Sequence, residues 1–270
     1  MSSLTAFAGS VPANYDRYLG PLLFEPYALD LVERLKNDQL KQVLEIACGT
    51  GRVTRHLTKL VEADGRLVAS DLNPDMIAQA KTQVSDERVQ WQVADAQQLP
   101  FDANSFDHVI CQFGVMFFPD KSDAFRETYR VMQPGGKYIF SVWDDMIHNP
   151  RVFILNQVMD ELFKEEAPDF LKKGPYSYFD KDEIKKSLQH AGFHNISIDI
   201  VPKLTHLNNV DEVIIGFVDG SPLSSFLSDK PHALRDQVRL RLREKLNQQI
   251  EQYGSAMPLQ ALVIEADKIK

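Results

Sequence analysis

The chain has 270 residues, 44% of them hydrophobic, which is enough to bury one large α/β core with a small appended cap. Its formal net charge is −8 and its pI about 5.4, and without a long basic stripe to neutralise phosphates, nucleic acid is not expected as a primary partner. No apolar run reaches the roughly 18 residues of a membrane span, and the start of the chain lacks the apolar centre of a signal peptide, so no membrane association and a cytoplasmic location are expected. The two cysteines, Cys48 and Cys111, fall in or just after apolar runs and read as small reduced core residues. His190 and His194 are interrupted by Gly192 and give no metal-ligand spacing.

Residues 1–40 precede the first strand-like run. Leu29, Leu31, Val32 and Leu35 suit a helix packed on a sheet, and Phe7, Tyr15, Tyr18, Leu22, Leu23 and Phe24 ahead of it are too apolar for a loose tail. This helical arm either packs on the core or folds over a ligand at the neighbouring site.

The run Gln42-Val43-Leu44-Glu45-Ile46 reads as a buried parallel strand, followed by Ala47-Cys48-Gly49-Thr50-Gly51 and a helix expected to start at about Arg52. Gly49 and Gly51 supply a turn that lets the backbone approach a ligand. A second apolar run, Arg66 to Ser70, ends at Asp71, the position from which an acid takes ribose hydroxyls in a nucleotide-binding β-α-β unit. Asn73 is a good N-cap and Pro74 suits the first helical turn, which leaves Asp71 at the carboxyl end of the second strand, with Leu72 and Met76 placed to line an adenine. The third strand, Val89 to Ala94, ends in Asp95-Ala96, an acid for the adenine amino group and an amide for a ring nitrogen. A nicotinamide site wants G-x-G-x-x-G, and Thr54 stands where the third glycine belongs.

Phe106 to Phe113 reads as the fourth strand, with Gln112 and Phe113 at its ligand end. A helix over 120–132 stops at Pro134-Gly135-Gly136, a turn at the far edge from the site, and Lys137 to Trp143 is the fifth strand. The runs Val43 to Thr54, Asp95 to Phe101, Ser105 to Asp107 and Val131 to Gly136 resemble class I S-adenosylmethionine (SAM)-dependent methyltransferases. Among these the chain is similar to the ubiquinone/menaquinone-biosynthesis C-methyltransferase group and its small-molecule relatives, over roughly residues 40–145. The motif E/D-x-G-x-G-x-G is matched by Glu45 to Gly51, with Ala47 in the first glycine position.

The resemblance implies a Rossmann-like, doubly wound α/β fold with a seven-stranded, mostly parallel sheet whose last strand is antiparallel. It implies SAM as cofactor, with Glu45, Ala47, Gly49, Gly51, Asp71, Leu72, Met76, Asp95, Ala96 and Gln112 around it. The family often closes its pocket with an N-terminal arm, which brings Tyr18 or Tyr15 onto the cofactor. Three units are expected: the arm (1–40), a core (41–207 and 256–270), and a helical insertion (208–255) forming a lid and substrate cap.

Beyond Trp143 the pattern predicts helices over 151–165 and about 181–191, a strand over 196–201, and a last strand over 259–266. The basic residues Arg235 to Lys245 interleave with leucines at helical spacing and read as a solvated helix face. The loop after the fifth strand offers His148, and second Asp144, as a general base, with Tyr176 and Tyr178 in a lid beyond. Aromatics such as Phe113, Phe117, Trp143 and Tyr176 favour a small apolar or aromatic methyl acceptor. Two other readings are a non-catalytic SAM-binding protein and an NAD-linked oxidoreductase, and oligomeric state is not predicted.

Overall fold

Strand β1 (Leu40–Ile46) carries the apolar run read from the sequence, and Val43, Leu44 and Ile46 are buried on it. The computed structural model describes residues 9–207 and 209–269; Phe7, expected in the arm, lies outside them. Around β1 assemble β2 (Val61–Asp71), β3 (Val89–Val93), β4 (Phe106–Gln112), β5 (Met132–Trp143), β6 (His194–His206) and β7 (Ala256–Asp267). They form a seven-stranded sheet in the order β3-β2-β1-β4-β5-β7-β6.

The pairs from β3 through β5 are parallel, whereas β7 runs antiparallel to both β5 and β6. This is the Rossmann-like, doubly wound arrangement with an antiparallel last strand. Because β1 is followed by β2 on one side and flanked by β4 on the other, the strand order reverses at β1, and the carboxyl ends of β1 and β4 open a crevice there.

Helices cover the sheet. Before β1 lie α1 (Val11–Asn14), a ten-residue π-helical stretch (Tyr15–Phe24) and α2 (Glu25–Leu35). The buried stripe of α2 is Tyr27, Ala28, Leu31 and Leu35; Leu29, expected on that face, is 50% exposed, because the 3.6-residue period places it outside the stripe. The short helix α3 (Thr54–Leu57) starts two residues later than expected from Arg52, after a turn with positive φ at Ala47, Gly49 and Gly51. Then come α4 (Pro74–Gln83), whose N-cap Asn73 accepts from Asp75 N, and α5 (Lys121–Val131), capped by Asp120.

Pro134-Gly135-Gly136 lies inside β5 rather than in a turn before it. The register shift between Phe106 and His108 absorbs the irregularity, and Gly135 N donates to Lys268 O at 2.6 Å. Helices α6 (Pro150–Phe163), α7 (Phe170–Lys173) and α8 (Lys181–His190) lead to β6. Between β6 and β7 run α9 (Val210–Asp219), α10 (Leu223–Ser228) and α11 (His232–Tyr253).

Fully buried Arg151, near the start of α6, donates to Thr205 on β6 and to Met257 Sδ on β7, fixing α6 to the antiparallel edge of the sheet. Among the described residues no helix is long and apolar enough to cross a membrane.

Candidate active site

At the carboxyl end of β1 the backbone turns sharply. Ala47 adopts φ 54°, Gly49 φ 54° and Gly51 φ 78°, the left-handed region that glycine enters without penalty. Ala47 is accommodated by a second small residue: a Cβ at Gly114 would meet the Ala47 Cβ at 2.5 Å and Cys111 Sγ at 2.7 Å. Gly114, just beyond β4, therefore makes room for the residue that replaces glycine in the motif, a compensation that residues 42–54 alone do not reveal. Thr54, in place of the third glycine of a nicotinamide site, donates from Oγ1 to Glu45 Oε2 at 2.6 Å.

Glu45 is 2% exposed. Its burial, reinforced by the charge of Asp71 and opposed by the Thr54 hydrogen bond, pushes its pKa up to about 8. Asp71 closes the turn from β2. Its Oδ2 accepts from Gly49 N at 2.8 Å and its Oδ1 from Asn73 N at 2.8 Å. Burial raises its pKa above the usual carboxylate range, against the pull of these backbone N–H groups.

From these residues a cleft of about 1110 Å³ extends along the ends of β1, β2 and β4. Ala47, Gly49, Asp71, Leu72, Met76, Asp95, Ala96 and Gln112, all expected from the sequence, line it together. Met76 and Ala96 are buried, while Leu72 is 41% exposed at the rim. Asp95 Oδ1 accepts from Gln97 N at 2.9 Å and Gln97 Nε2 at 3.0 Å, and Gln97 Oε1 in turn accepts from Asp120 N. Gln97 was not among the expected residues.

Glu45 borders a smaller annex of the cleft with Cys48, Gly49, Arg52 and Gln112. Gln112 donates from Nε2 to Phe24 O at 2.7 Å, leaving Oε1 buried without a protein partner. An acceptor of that kind calls for a donor from outside the chain. The buried carboxylates, the orphan amide oxygen and the apolar Leu72 and Met76 together fit a cationic nucleoside such as SAM.

A second, smaller cavity adjoins the cleft. Tyr15, Phe113 and Phe117 line both. Trp143 stacks on Phe113 with centroids 3.9 Å apart, and Tyr176 stacks on the other side at 6.0 Å. Val152 and Leu155 of α6 and Phe217 of α9 complete the wall. Burial raises the phenol pKa values of Tyr15 and Tyr176 well above the usual range, so both hydroxyls stay protonated.

Four expected residues, Tyr18, His148, Asp144 and Tyr178, lie outside both cavities. Tyr18 lines neither cavity; it borders a surface groove with Arg17, His206 and Glu212, and Tyr15 takes the place at the cleft. The i→i+5 winding of the arm rotates Tyr18 away from the face it would share with Tyr15 on an α-helix. His148 is exposed in a short 3₁₀ turn and lines neither cavity.

Asp144 is buried but turned to the sheet, where Gln260 Nε2 donates to it at 2.7 Å and Asp145 N at 2.8 Å. Asn149 holds the same loop on β7 by exchanging hydrogen bonds with the Gln260 backbone, and this pinning explains why neither candidate base reaches the cavity. Tyr178 is likewise outside it, under Lys121 Nζ at 5.0 Å. Cys48 and Cys111 are both buried and free.

Residues 44–140 match the family model described as a methyltransferase domain. A demethylmenaquinone methyltransferase of Staphylococcus carnosus is 27% identical over 206 residues, covering 70% of this chain and 84% of that protein. Among solved structures, the YcgJ protein of Bacillus subtilis superposes with a TM-score of 0.60 at 17% identity, covering 91% of this chain and 99% of that one. A phosphoethanolamine N-methyltransferase 2 of Haemonchus contortus, solved with S-adenosylhomocysteine (SAH), gives 0.62 at 20% identity, covering 96% of this chain and 57% of that one. The fold, the glycine turn and the family model agree: residues 44–140 form a methyltransferase domain, and the chain is a SAM-dependent methyltransferase with a Rossmann-like fold.

Proposed function

We propose that the cleft at the ends of β1, β2 and β4 holds SAM and that the apolar cavity beside it takes a small, largely apolar or aromatic methyl acceptor. The observation that carries this reading is the sharing of Tyr15, Phe113 and Phe117 between the two spaces, which places an aromatic slot directly against the cleft. In this reading Asp71 takes the ribose hydroxyls, Leu72 and Met76 cover the adenine, Asp95 and Ala96 meet its edge, and Gln112 Oε1 and Glu45 face the amino-acid part.

When bound, SAM supplies an electrophilic methyl group on a cationic sulfur. The protein's part is alignment, which by itself supplies on the order of 7–11 kcal/mol, more than a general base contributes.

The chemistry of the lining narrows the acceptor. Tyr15, Trp143, Tyr176 and Ser221 carry the polar side-chain atoms among the described residues of the cavity wall, and no carboxylate or histidine joins them. Neutral phenols donate hydrogen bonds but do not abstract protons at neutral pH. The acceptor therefore brings an atom that is already electron-rich, such as a ring carbon beside a hydroxyl. The Staphylococcus carnosus relative is named for demethylmenaquinone, a quinone whose reduced, dihydroxy form would be an acceptor of this type.

The test is SAH release with SAM and a panel of dihydroxynaphthalenes, simple phenols, amines and carboxylic acids. Turnover on the electron-rich rings is expected. Turnover confined to amines or acids would overturn the acceptor reading, and tight SAM binding with no turnover on any compound would favour a non-catalytic binding protein.

A further inference from the structure

The N-terminal arm is tied to the glycine turn by buried charge. Asp16, on the π-helical stretch next to Tyr15, is 7% exposed. Its Oδ1 accepts from Thr50 Oγ1 at 2.9 Å, Arg52 Nη2 at 2.7 Å and Arg55 Nη2 at 3.2 Å, and its backbone oxygen accepts from Arg52 Nη2 at 2.6 Å. Arg52 Nη1 also donates to Glu25 Oε2 at 3.1 Å, so one guanidinium spans two turns of the arm. The approach is so close that a Cβ at Gly20 would lie 1.9 Å from Arg52 Nη2; glycine there leaves space for the guanidinium.

The same arm forms a wall of the second cavity through Leu19, Leu23 and Phe24. On its far side Leu19 packs against Gly216 of α9, where a Cβ would meet Leu19 Cδ2 at 2.7 Å, and the next residue, Phe217, lines the cavity. The arm thus bridges the turn beneath the cleft and the insertion above the cavity.

A buried cluster of this kind gives little net stability compared with apolar packing, and its best-attested use is to fix one geometry. Resting on the reading that the cleft holds SAM, we infer that Asp16 and Arg52 form a latch coupling the cofactor turn to the wall of the acceptor cavity. Asp16 is then a positioning residue: it acts through Thr50 and Arg52, and an occupied cleft steadies the arm in the place it holds against the acceptor cavity.

The test is backbone amide hydrogen exchange over residues 11–35, with and without SAH, together with SAH affinity by calorimetry. In the wild type SAH is expected to slow exchange of the arm by about ten-fold or more. In Asp16→Asn the arm exchanges fast whether or not SAH is present, and SAH binds about ten- to a hundred-fold more weakly, the range for a lost hydrogen bond to a charged group. Amides of β4 and β5 remain as protected as in the wild type, which separates a local latch from general unfolding.

Arg52→Lys provides a variant that retains the charge, since one ammonium cannot span Asp16 and Glu25 as the guanidinium does; it is expected to keep part of the affinity and to lose the SAH-dependent arm protection. Unchanged SAH affinity and arm protection in both variants would overturn the latch alone. A wild type that fails to bind SAH would overturn the cleft reading and the latch with it.

Discussion

Glu45→Gln provides a sharp check on the electrostatics of the cleft. The folded protein holds the Glu45 proton more tightly than the unfolded chain, because burial pushes its pKa from 4.5 up to about 8. The sign follows from linkage: this contribution to stability is complete below the unfolded value near 4.5 and is lost as pH rises through about 8. At 1.36 kcal/mol per unit, about 2–3 kcal/mol should disappear between about pH 6 and 9.

Glutamine keeps an oxygen for Thr54 and carries no proton to lose, so urea unfolding of Glu45→Gln should lack this component. Groups away from the cleft titrate alike in both proteins, so the difference between the curves reports position 45 together with its coupling to Asp71, Cys48 and Cys111. Parallel pH dependences would refute the argument, as would a wild type that gains on Glu45→Gln as pH rises. The same proton should respond to the ligand. A cation beside Glu45 favours the carboxylate, so SAM binding below pH 8 should release protons, measured by calorimetry in buffers of different protonation enthalpy, and Glu45→Gln should release fewer.

Three further outcomes are expected. Asp71→Asn leaves one oxygen where two N–H groups, of Gly49 and Asn73, need separate acceptors; SAH affinity should fall by about 1.5–3 kcal/mol and urea stability by about 1–3 kcal/mol, and an unchanged dissociation constant would remove Asp71 from the ribose role. His148→Ala should retain turnover within about two-fold of the wild type, since its side chain is exposed and outside both cavities; a large loss of turnover would restore it as a base. Trp143→Ala removes a wall of the second cavity but not of the cleft, and should weaken acceptor binding by about ten- to a hundred-fold while leaving SAH affinity within about two-fold, a split read by fluorescence titration.

The lining of the cleft was readable because it is local. A strand, a glycine turn, a second strand and an acid lie within residues 42–71, and strand ends alone bring Asp71, Asp95 and Gln112 to one cleft once the sheet is parallel. What escaped was set by contacts distant in sequence. Ala47 is compatible with the turn because Gly114 is small, and the two belong to different strand ends. Tyr15 rather than Tyr18 faces the cleft because the arm winds as a π-helix, and nothing in the period of its apolar residues distinguishes that winding from an α-helix. His148 and Asp144 follow the right strand, yet Asn149 and Gln260 hold their loop against β7, a pairing visible only after the last strand has entered the sheet.

The same contrast bears on what the two halves of the site do. The cleft is made largely by strand ends whose register is fixed by the sheet, so backbone pairing holds its residues in place. The cavity wall is assembled from the arm, the ends of β4 and β5, α6, the segment around Tyr176 and α9, few of which pair in the sheet. Methyl transfer depends on placing an acceptor atom in line with a methyl carbon, and a misplacement of 1 Å can cost about a hundred-fold in rate. Segments this separate hold that alignment only if something ties them together. The arm does so, carrying Tyr15 at the junction, Asp16 on the glycine turn and Leu19 on α9 within one short stretch of helix. Substitutions in that stretch should therefore change acceptor choice and cofactor affinity together, whereas substitutions in α6 should change acceptor choice alone.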